Sequence, residues 1–298
     1  MTSPNGVQTT ITHGAYTATV SEVGGCLHSL TYEGRDLVVS WPLAAIRPNH
    51  RGSVLAPWPN RVADGRYPFQ GEQQQLAISE VDRHNAIHGL VSWLSFDVQD
   101  AGGDHVSVGA RIWPQQGYPH LVDVVARYAL DDDGLRWEVT ATNHGDTPAP
   151  YGASVHPYLV AGPGHVDDWT LLVPAEQVLE VDAERLLPTG VAAVPAELDF
   201  RTARPIGTTE IDYAYTGLVG QRVEVRTAGG SGVALEIGEP ERWVQVHTAD
   251  RPEPDRNRIG MAIEPMTCPP DAFNSGTDLV VLAPGERHTL SLRISALD

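Results

Sequence analysis

The chain has 298 residues, 41% of them hydrophobic, and a formal net charge of −18 at pH 7. All 20 basic residues are arginine, which excludes chemistry that needs lysine: Schiff-base catalysis, lysine-linked pyridoxal phosphate and the lysine-containing nucleotide-binding loop. The acidic balance disfavours nucleic acid and anionic membranes as partners and favours a neutral small molecule, although a local arginine cluster could override the global charge.

The sequence contains no apolar run near the ~18 residues that suggest a membrane span, and no secretory signal is visible at its start. We therefore expect a soluble cytoplasmic protein, either a monomer or a homodimer. Cys26 and Cys268 are the only cysteines, too few for a disulfide framework or a four-thiolate zinc site. Both are expected to be buried free thiols, although Cys268 could react if it were exposed.

Alternation of apolar and polar residues predicts strands along most of the chain. The candidates, in chain order, are 7–12, 16–23, 74–78, 105–113, 121–130, 134–143, 171–173, 222–227, 233–237, 243–248 and 287–294. The three from 105 to 143 predict an antiparallel meander, in which Asp131-Asp132-Asp133-Gly134 forms a hairpin turn. No long amphipathic pattern is present, and the only helix that we expect is a single turn near 271–274.

No linker, low-complexity run or fixed-period repeat divides the chain. We therefore predict one all-β domain over residues 1–298, a large antiparallel β-sandwich with few short helices. A propeller is disfavoured because no blade signature recurs. The proline- and glycine-rich segments 42–59 and 251–257 are predicted to be loops over the mouth of the sheets, where sites usually lie.

Four separated segments contain groups suited to acid–base chemistry on a neutral polyol. They are Asn60-Arg61, Asn85-Ala86-Ile87-His88-Gly89, Val155-His156-Pro157-Tyr158 and Ile263-Glu264-Pro265 leading into Pro270-Asp271-Ala272-Phe273-Asn274. Imidazole and carboxylate groups titrate in the pH range in which general acid and base catalysis works. Together the segments supply two histidines, a carboxylate and an arginine.

His156 and Glu264 are the strongest candidates for proton transfer. Pro157 biases His156 to an extended conformation, so the imidazole is presented from a rigid strand end. Glu264 ends an apolar stretch, and burial there would raise the pKa of its carboxyl group. Taken singly, a packed histidine and a solvent-facing glutamate are equally good interpretations.

Other candidates are weaker when each is considered alone. Arg61 could hold sugar hydroxyls with its planar fork or form a surface salt bridge, and His88 could bind a ligand or belong to a turn. Asp212 could accept two hydroxyl hydrogen bonds, as could any loop aspartate. Three aromatic side chains could provide a wall for a sugar face or pack in the core: Trp58, Trp93 and Tyr158.

The joint order of these segments resembles the aldose 1-epimerase (galactose mutarotase) family, from about residue 50 to residue 275. The resemblance includes an early turn-and-strand signature at Asn60, Arg61, Gly65, Tyr67 and Gly71. It implies a large antiparallel β-sandwich, no obligatory cofactor and no metal. It also implies that His156 protonates the ring oxygen of a sugar and that Glu264 takes the proton of the anomeric hydroxyl. Asn60, Arg61, His88 and Asp212 would hold the sugar.

Two departures resemble a less characterised bacterial branch: Leu90 follows Gly89, and Pro157-Tyr158-Leu159 follows His156. The resemblance implies that the chain interconverts α and β anomers of a free hexose such as galactose or glucose, with an ionised Glu264 and a protonated His156.

Three alternatives remain open. The first is a hexose-6-phosphate mutarotase, for which Arg47, Arg51 and Arg66 are candidate phosphate ligands. The second is a carbohydrate-binding protein without turnover. The third is a metal enzyme built from His88, His156, Asp212 and Glu264, which lack local ligand spacing.

Overall fold

The computed structural model describes residues 3–298, and strands dominate them. The strands, in chain order, are β1 (Gln8–His13), β2 (Tyr16–Ser21), β3 (Cys26–Tyr32), β4 (Arg35–Asp36), β5 (Val54–Leu55), β6 (Arg61–Ala63), β7 (Arg66–Phe69), β8 (Glu72–Gln75), β9 (Asn85–Ile87), β10 (Asp97–Ala101), β11 (His105–Ile112), β12 (Val122–Asp131), β13 (Gly134–Asn143), β14 (Ala149–Tyr151), β15 (Ser154–Val155), β16 (Tyr158–Leu159), β17 (Thr170–Leu172), β18 (Ala175–Val181), β19 (Pro188–Ala193), β20 (Arg204–Pro205), β21 (Asp212–Leu218), β22 (Arg222–Arg226), β23 (Gly232–Ile237), β24 (Trp243–His247), β25 (Met261–Met266), β26 (Val280–Leu282) and β27 (Arg287–Leu297). Within residues 3–298 the only α-helix is α1, Ala272–Ser275, and single 3₁₀ turns occur at Val81–Arg83, Val166–Asp168 and Ala196–Leu198.

Two large antiparallel sheets form the body of the molecule. One has the strand order β10-β11-β12-β13-β27-β23-β22-β17-β20, and the other has the order β19-β18-β21-β24-β25-β15-β5, with β16 also paired to β25. A continuous apolar core contains Val139 and Leu290 from the first sheet and Val244 and Ile263 from the second. The predicted antiparallel β-sandwich is therefore confirmed. Within the same residues no helix is long and apolar enough to cross a membrane.

The predicted meander is present as β11, β12 and β13. Alternate residues of β12 from Val122 to Leu130 are buried, as the period of two requires. The hairpin turn closes with Asp131 paired to Gly134, and Tyr128 opposes Trp137 across the ladder. Their rings lie 4.9 Å apart between centroids, which adds an aromatic contact to the buried face.

Several strands were not predicted, and the prediction at 74–78 was displaced, since β8 covers Glu72–Gln75. The missed strands include β3, β18 and β21. In β21 the buried residues are the consecutive Ala214, Tyr215 and Thr216, because both faces of that strand are covered at its centre. Covering both faces removes the alternation that identifies a half-exposed strand.

The second sheet provides the base of a cleft. All six residues of β25 are buried; β24 lies beside it, and β21 lies beside β24. Of the two predicted loops, 251–257 contains no strand, whereas 42–59 contains the short strand β5, so that prediction was wrong at Val54–Leu55. Asn49 and His50 from the first segment and Arg251 from the second line the cleft.

Candidate active site

The four separated sequence segments converge on one cleft of about 590 Å³. All six site residues named from the sequence line it: Asn60, Arg61, His88, His156, Asp212 and Glu264. Glu264 lies at the centre of β25, where it pairs in register with Gln245 of β24. His156 lies between β15 and β16, the two short strands that flank Pro157 and both pair with β25. The strand pairing therefore brings the histidine and the carboxylate together.

His156 and Glu264 form a buried contact pair. The distance from His156 Nε2 to Glu264 Oε1 is 3.4 Å, and their side chains are 7% and 3% exposed. Tyr158 stacks on the His156 ring at 5.0 Å between centroids and an interplanar angle of 11°, which fixes the plane of the imidazole. Glu264 Oε2 and His156 Nδ1 have no hydrogen-bond partner among residues 3–298.

Burial moves the proton affinities of this pair in opposite directions. It lowers the pKa of His156 well below the usual range, with the nearby His50 and His247 acting in the same direction. It raises the pKa of Glu264 well above the usual range, reinforced by Asp212 and opposed by Arg61. Each shift disfavours the charged form of its group, so the two shifts together favour a proton on Glu264 over a proton on His156. The raised pKa of Glu264 is in the predicted direction, whereas the lowered pKa of His156 is opposite to the direction that a protonated His156 in the free protein requires.

Arg61 and His88 enter the cleft from a short antiparallel ribbon. Arg61 of β6 is opposite Ile87 of β9, and the backbone N–H of His88 donates to the carbonyl of Asn60 at 2.9 Å. Asn60 and His88 both adopt left-handed backbone conformations, with φ of 52° and 62°. Such conformations are uncommon outside glycine and cluster at functional sites.

The second half of the glutamate motif supports this ribbon rather than lining the cleft. The Asp271 backbone N–H donates to the Arg61 carbonyl at 2.7 Å, and Asp271 Oδ1 accepts from the Ala63 N–H at 2.9 Å. The Phe273 ring packs on Trp58 and Tyr67 at 5.8 and 4.8 Å between centroids. Asp271 therefore fixes the backbone from which Arg61 projects.

Asp212 lies at the start of β21, opposite His247 of β24. Its Oδ1 accepts a hydrogen bond from Gln245 Nε2 at 2.7 Å, and its carboxylate is partly exposed to the cleft. Gln245 is thus hydrogen-bonded to Asp212 on one neighbouring strand and lies opposite Glu264 on the other. An amide in that position was not named from the sequence, because Gln245 belongs to an ordinary alternating strand.

His50 is another cleft residue that sequence reasoning missed. It lies on the 42–53 loop with φ of 52°, and its ring centroid is 4.8 Å from that of His88. Burial, together with Arg47, lowers the pKa of His50 to about 4. The only available signal was its place in a proline-rich loop next to Arg51.

Of the three aromatic candidates, one lines the cleft. Tyr158 lines the cleft, whereas Trp58 is buried in the core and Trp93 is 55% exposed outside the lining. Cys26 and Cys268 are buried and free, as expected. Within residues 3–298 no three histidine, cysteine, aspartate or glutamate side chains are grouped to hold a metal ion.

The arginines named for a phosphate grip do not line the cleft. Arg47 and Arg51 are buried and donate to the carbonyls of Val23 and Ser40, at 3.0 and 2.9 Å. Arg66 is exposed and bonds Gln75. The arginines that line the cleft are Arg61, Arg83 and Arg251.

The fold and the cleft together define a class: an antiparallel β-sandwich protein with a buried histidine–carboxylate pair in a polar cleft that can hold a small ligand rich in hydroxyl groups. Comparison with known proteins makes the class specific. The family model for aldose 1-epimerase matches residues 7–295. The chain therefore belongs to the aldose 1-epimerase family.

Relatives and solved structures agree with this membership. The chain is 35% identical to the uncharacterised protein YihR of Escherichia coli, across 97% of this chain and 93% of that protein. It is 31% identical to galactose mutarotase of Rattus norvegicus across 52% of this chain and 46% of that enzyme. An aldose epimerase homologue from C. elegans superposes with a TM-score of 0.84 at 20% identity, covering 97% and 99% of the two chains. Galactose 1-epimerase of Lactobacillus acidophilus superposes with a TM-score of 0.81 at 20% identity, covering 97% and 93%.

Proposed function

We propose that the protein is an aldose 1-epimerase that interconverts the α and β anomers of a free hexose such as galactose or glucose. The observation that carries the proposal is the contact between His156 and Glu264, 3.4 Å apart at the base of a polar cleft in a member of this family. Two groups that exchange one proton suit a reaction that needs one acid and one base at neighbouring oxygens. The name of the galactose mutarotase of Rattus norvegicus, to which the chain is similar, is consistent with a hexose.

In the proposed mechanism this pair supplies one proton to the sugar and receives one from it. His156 donates a proton to the ring oxygen while Glu264 takes the proton of the anomeric hydroxyl, so the bond from C1 to the ring oxygen breaks and the C1 carbonyl forms. Rotation about the bond from C1 to C2 presents the other carbonyl face, and the reverse transfers close the ring. Because the two pKa shifts favour a proton on Glu264, the proposed mechanism requires transfer of that proton to His156, 3.4 Å away, before the ring opens.

The remaining cleft residues are proposed to hold the sugar. Arg61 and His88 approach from the ribbon, Asn60 orients Arg61 through its Oδ1, and Asp212 accepts from ring hydroxyls. Such contacts place the anomeric centre against the pair, and correct placement contributes to turnover as well as to affinity. The proposal needs no metal, cofactor or macromolecular partner, and a cytoplasmic location stays a prediction.

Polarimetry tests the activity directly. Freshly dissolved α-galactose and α-glucose should approach their equilibrium rotation at a rate that rises linearly with protein concentration. If calorimetry detects sugar binding but the rotation decays no faster than in buffer, the chain is a carbohydrate-binding protein instead. Faster decay only with hexose 6-phosphates, measured in the same way, would support the phosphorylated substrate.

A further inference from the structure

Glu80 lines the cleft beside Arg61 and holds the Arg61 side chain, and the proposed mechanism gives Glu80 no role. Arg61 Nε donates to Glu80 Oε2 at 2.9 Å, and Arg61 Nη2 donates to Glu80 Oε1 at 2.9 Å. The two side chains are 10% and 15% exposed, so this is a two-point contact largely shielded from water. Paired contacts of this kind fix the plane of the guanidinium as well as its position. Arg83 lies on the same carboxylate at the longer distance of 3.8 Å.

The backbone fixes Glu80 in turn. Its N–H donates to the Asn85 carbonyl at 2.9 Å, and the Asn85 N–H donates to the Glu80 carbonyl at 3.1 Å. Between them the 3₁₀ turn Val81–Arg83 ends at His84, whose left-handed conformation closes the loop. Asn85 Nδ2 adds a hydrogen bond to Glu80 Oε2 at 2.8 Å. The carboxylate therefore has partners on both oxygens before any ligand enters.

Arg185 fixes Asn85 from the opposite side. Asn85 Nδ2 donates to the Arg185 carbonyl, and Arg185 Nη2 donates to Asn85 Oδ1, both at 3.1 Å. Arg185 Nη2 also donates to Asp64 Oδ1 at 2.9 Å. The next residue, Leu186, lines the cleft. The chain of contacts from Arg185 through Asn85 to Glu80 thus connects the cleft wall to Arg61.

Two of the five N–H donors of Arg61 remain free for a ligand. A guanidinium has five N–H donors in a fixed plane. Two are engaged by Glu80, and a third is directed from Nη1 to Asn60 Oδ1 at 3.3 Å. Two donors, one on each terminal nitrogen, remain for the cleft. The carboxylates of Asp212 and Glu264 line the same cleft, and an unrestrained Arg61 could turn toward them.

We propose that Glu80 is a positioning residue that aims the two free Arg61 donors at the substrate and prevents Arg61 from pairing with Asp212 or Glu264. This inference rests on the proposed function. It predicts that Glu80 acts on catalysis only through Arg61. Because the Arg61 contact is expected in both the ground state and the transition state, losing its alignment should raise KM more than it lowers kcat.

Glu80→Gln removes the charge and one acceptor while keeping the shape. We expect KM for the active hexose to rise about tenfold while kcat stays within about threefold. In an Arg61→Met background, Glu80→Gln should change neither constant further. Glu224→Gln is the matched control, since Glu224 bonds Arg222 and Arg226 at 2.8 Å each and is 18% exposed, on a strand outside the cleft. That control should keep the wild-type KM. If Glu80→Gln folds poorly, Glu80→Asp keeps the charge and should give an intermediate KM.

Two kinetic results would overturn the proposal: an unchanged KM in Glu80→Gln, or the same rise in the Arg61→Met background. A wild-type protein without mutarotase activity would reject the proposed function instead. In that event ¹⁵N NMR of the arginine side chains still tests the contact. The Arg61 Nε–H resonance, assigned by its loss in Arg61→Met, should shift in Glu80→Gln and not in Glu224→Gln. An unshifted resonance in Glu80→Gln would contradict the positioning role.

Discussion

At the residue scale, the site depends on two groups whose burial would be costly if each were ionised alone. His156 and Glu264 are both more than nine-tenths buried, and Glu264 Oε2 has no hydrogen-bond partner in the part of the chain that the structure describes. A neutral imidazole beside a protonated carboxyl avoids two unpaired buried charges. A sugar that brings two oxygens to the pair would supply the missing partners. The unsatisfied atoms are thus expected where a ligand completes the hydrogen bonding.

Removing either member of the pair should abolish most of the activity. His156→Asn and Glu264→Gln keep polarity and approximate size but cannot transfer the proton, so kcat should fall by ~10²–10⁴-fold with the fold intact. Polarimetry measures the rate, and circular dichroism checks the fold. His120→Asn is the control, since His120 is also buried but lies outside the cleft lining. Near-native turnover in either pair variant would assign the proton transfer to another residue.

The resting protonation state is a separate prediction. Because burial lowers the pKa of His156, its imidazole should be neutral in the free protein at pH 7 and gain a proton only well below pH 6.5. Activity requires one proton on the pair, so kcat/KM should fall on the acid side as His156 gains a second proton. It should fall on the alkaline side as Glu264 loses the last one. Histidine ¹⁵N NMR, with His156 assigned by substitution, checks the neutral form; an imidazolium signal at pH 7 would contradict it.

At the element scale, one short ribbon and one large sheet bring distant segments together. Strands β24 and β25 place Gln245 beside Glu264, and β6 paired with β9 places Arg61 beside the loop that carries His88. Gly89 follows His88 with φ of 72°, and a Cβ there would overlap the carbonyl oxygen of Ala56. Glycine is therefore required both by the backbone conformation and by the close approach of the 54–57 segment.

Gly89→Ala should be more damaging than Gly71→Ala, although both glycines have positive φ. Gly71 has φ of 84° and open space around its Cβ position, so its substitution costs only the conformational strain, about 1–2 kcal/mol. Gly89→Ala adds a backbone clash and should displace His88, lowering both the free energy of unfolding and the affinity for sugar. Urea unfolding and KM measurements compare the two variants. Equal losses of unfolding free energy and of sugar affinity in the two variants would mean that the close approach of Gly89 to Ala56 contributes nothing to either.

The sequence predicted the strands that have one apolar, buried face and one polar face, such as β12 and β13. It also named candidate site residues that have distinctive neighbours, such as His156 before Pro157, and these residues line the cleft. It missed β21, whose central residues are covered on both faces, and it missed Glu80, whose importance depends on a contact with Arg61 across 19 positions. Strand periodicity is local, whereas pairing between distant side chains is not. That difference explains which features were predictable.

At the scale of the whole molecule, the net charge of −18 coexists with a cleft that contains three arginines and several carboxylates. Two of those arginines, Arg61 and Arg83, lie on the carboxylate of Glu80. The cleft therefore offers mixed charge and hydrogen-bonding groups rather than a cationic grip, which fits a neutral polyol. The single-domain organisation stays a prediction, while the family match extends over residues 7–295.

The central claim is that this cleft interconverts anomers through His156 and Glu264. Two-dimensional exchange NMR on an anomeric mixture at equilibrium tests it most directly, because cross-peaks between the α and β anomeric protons report interconversion itself. With catalytic amounts of protein, galactose or glucose should show exchange cross-peaks that grow with protein concentration and are lost with Glu264→Gln. Absence of exchange above the buffer rate for both sugars at saturating concentration, or undiminished exchange in Glu264→Gln, would contradict the account.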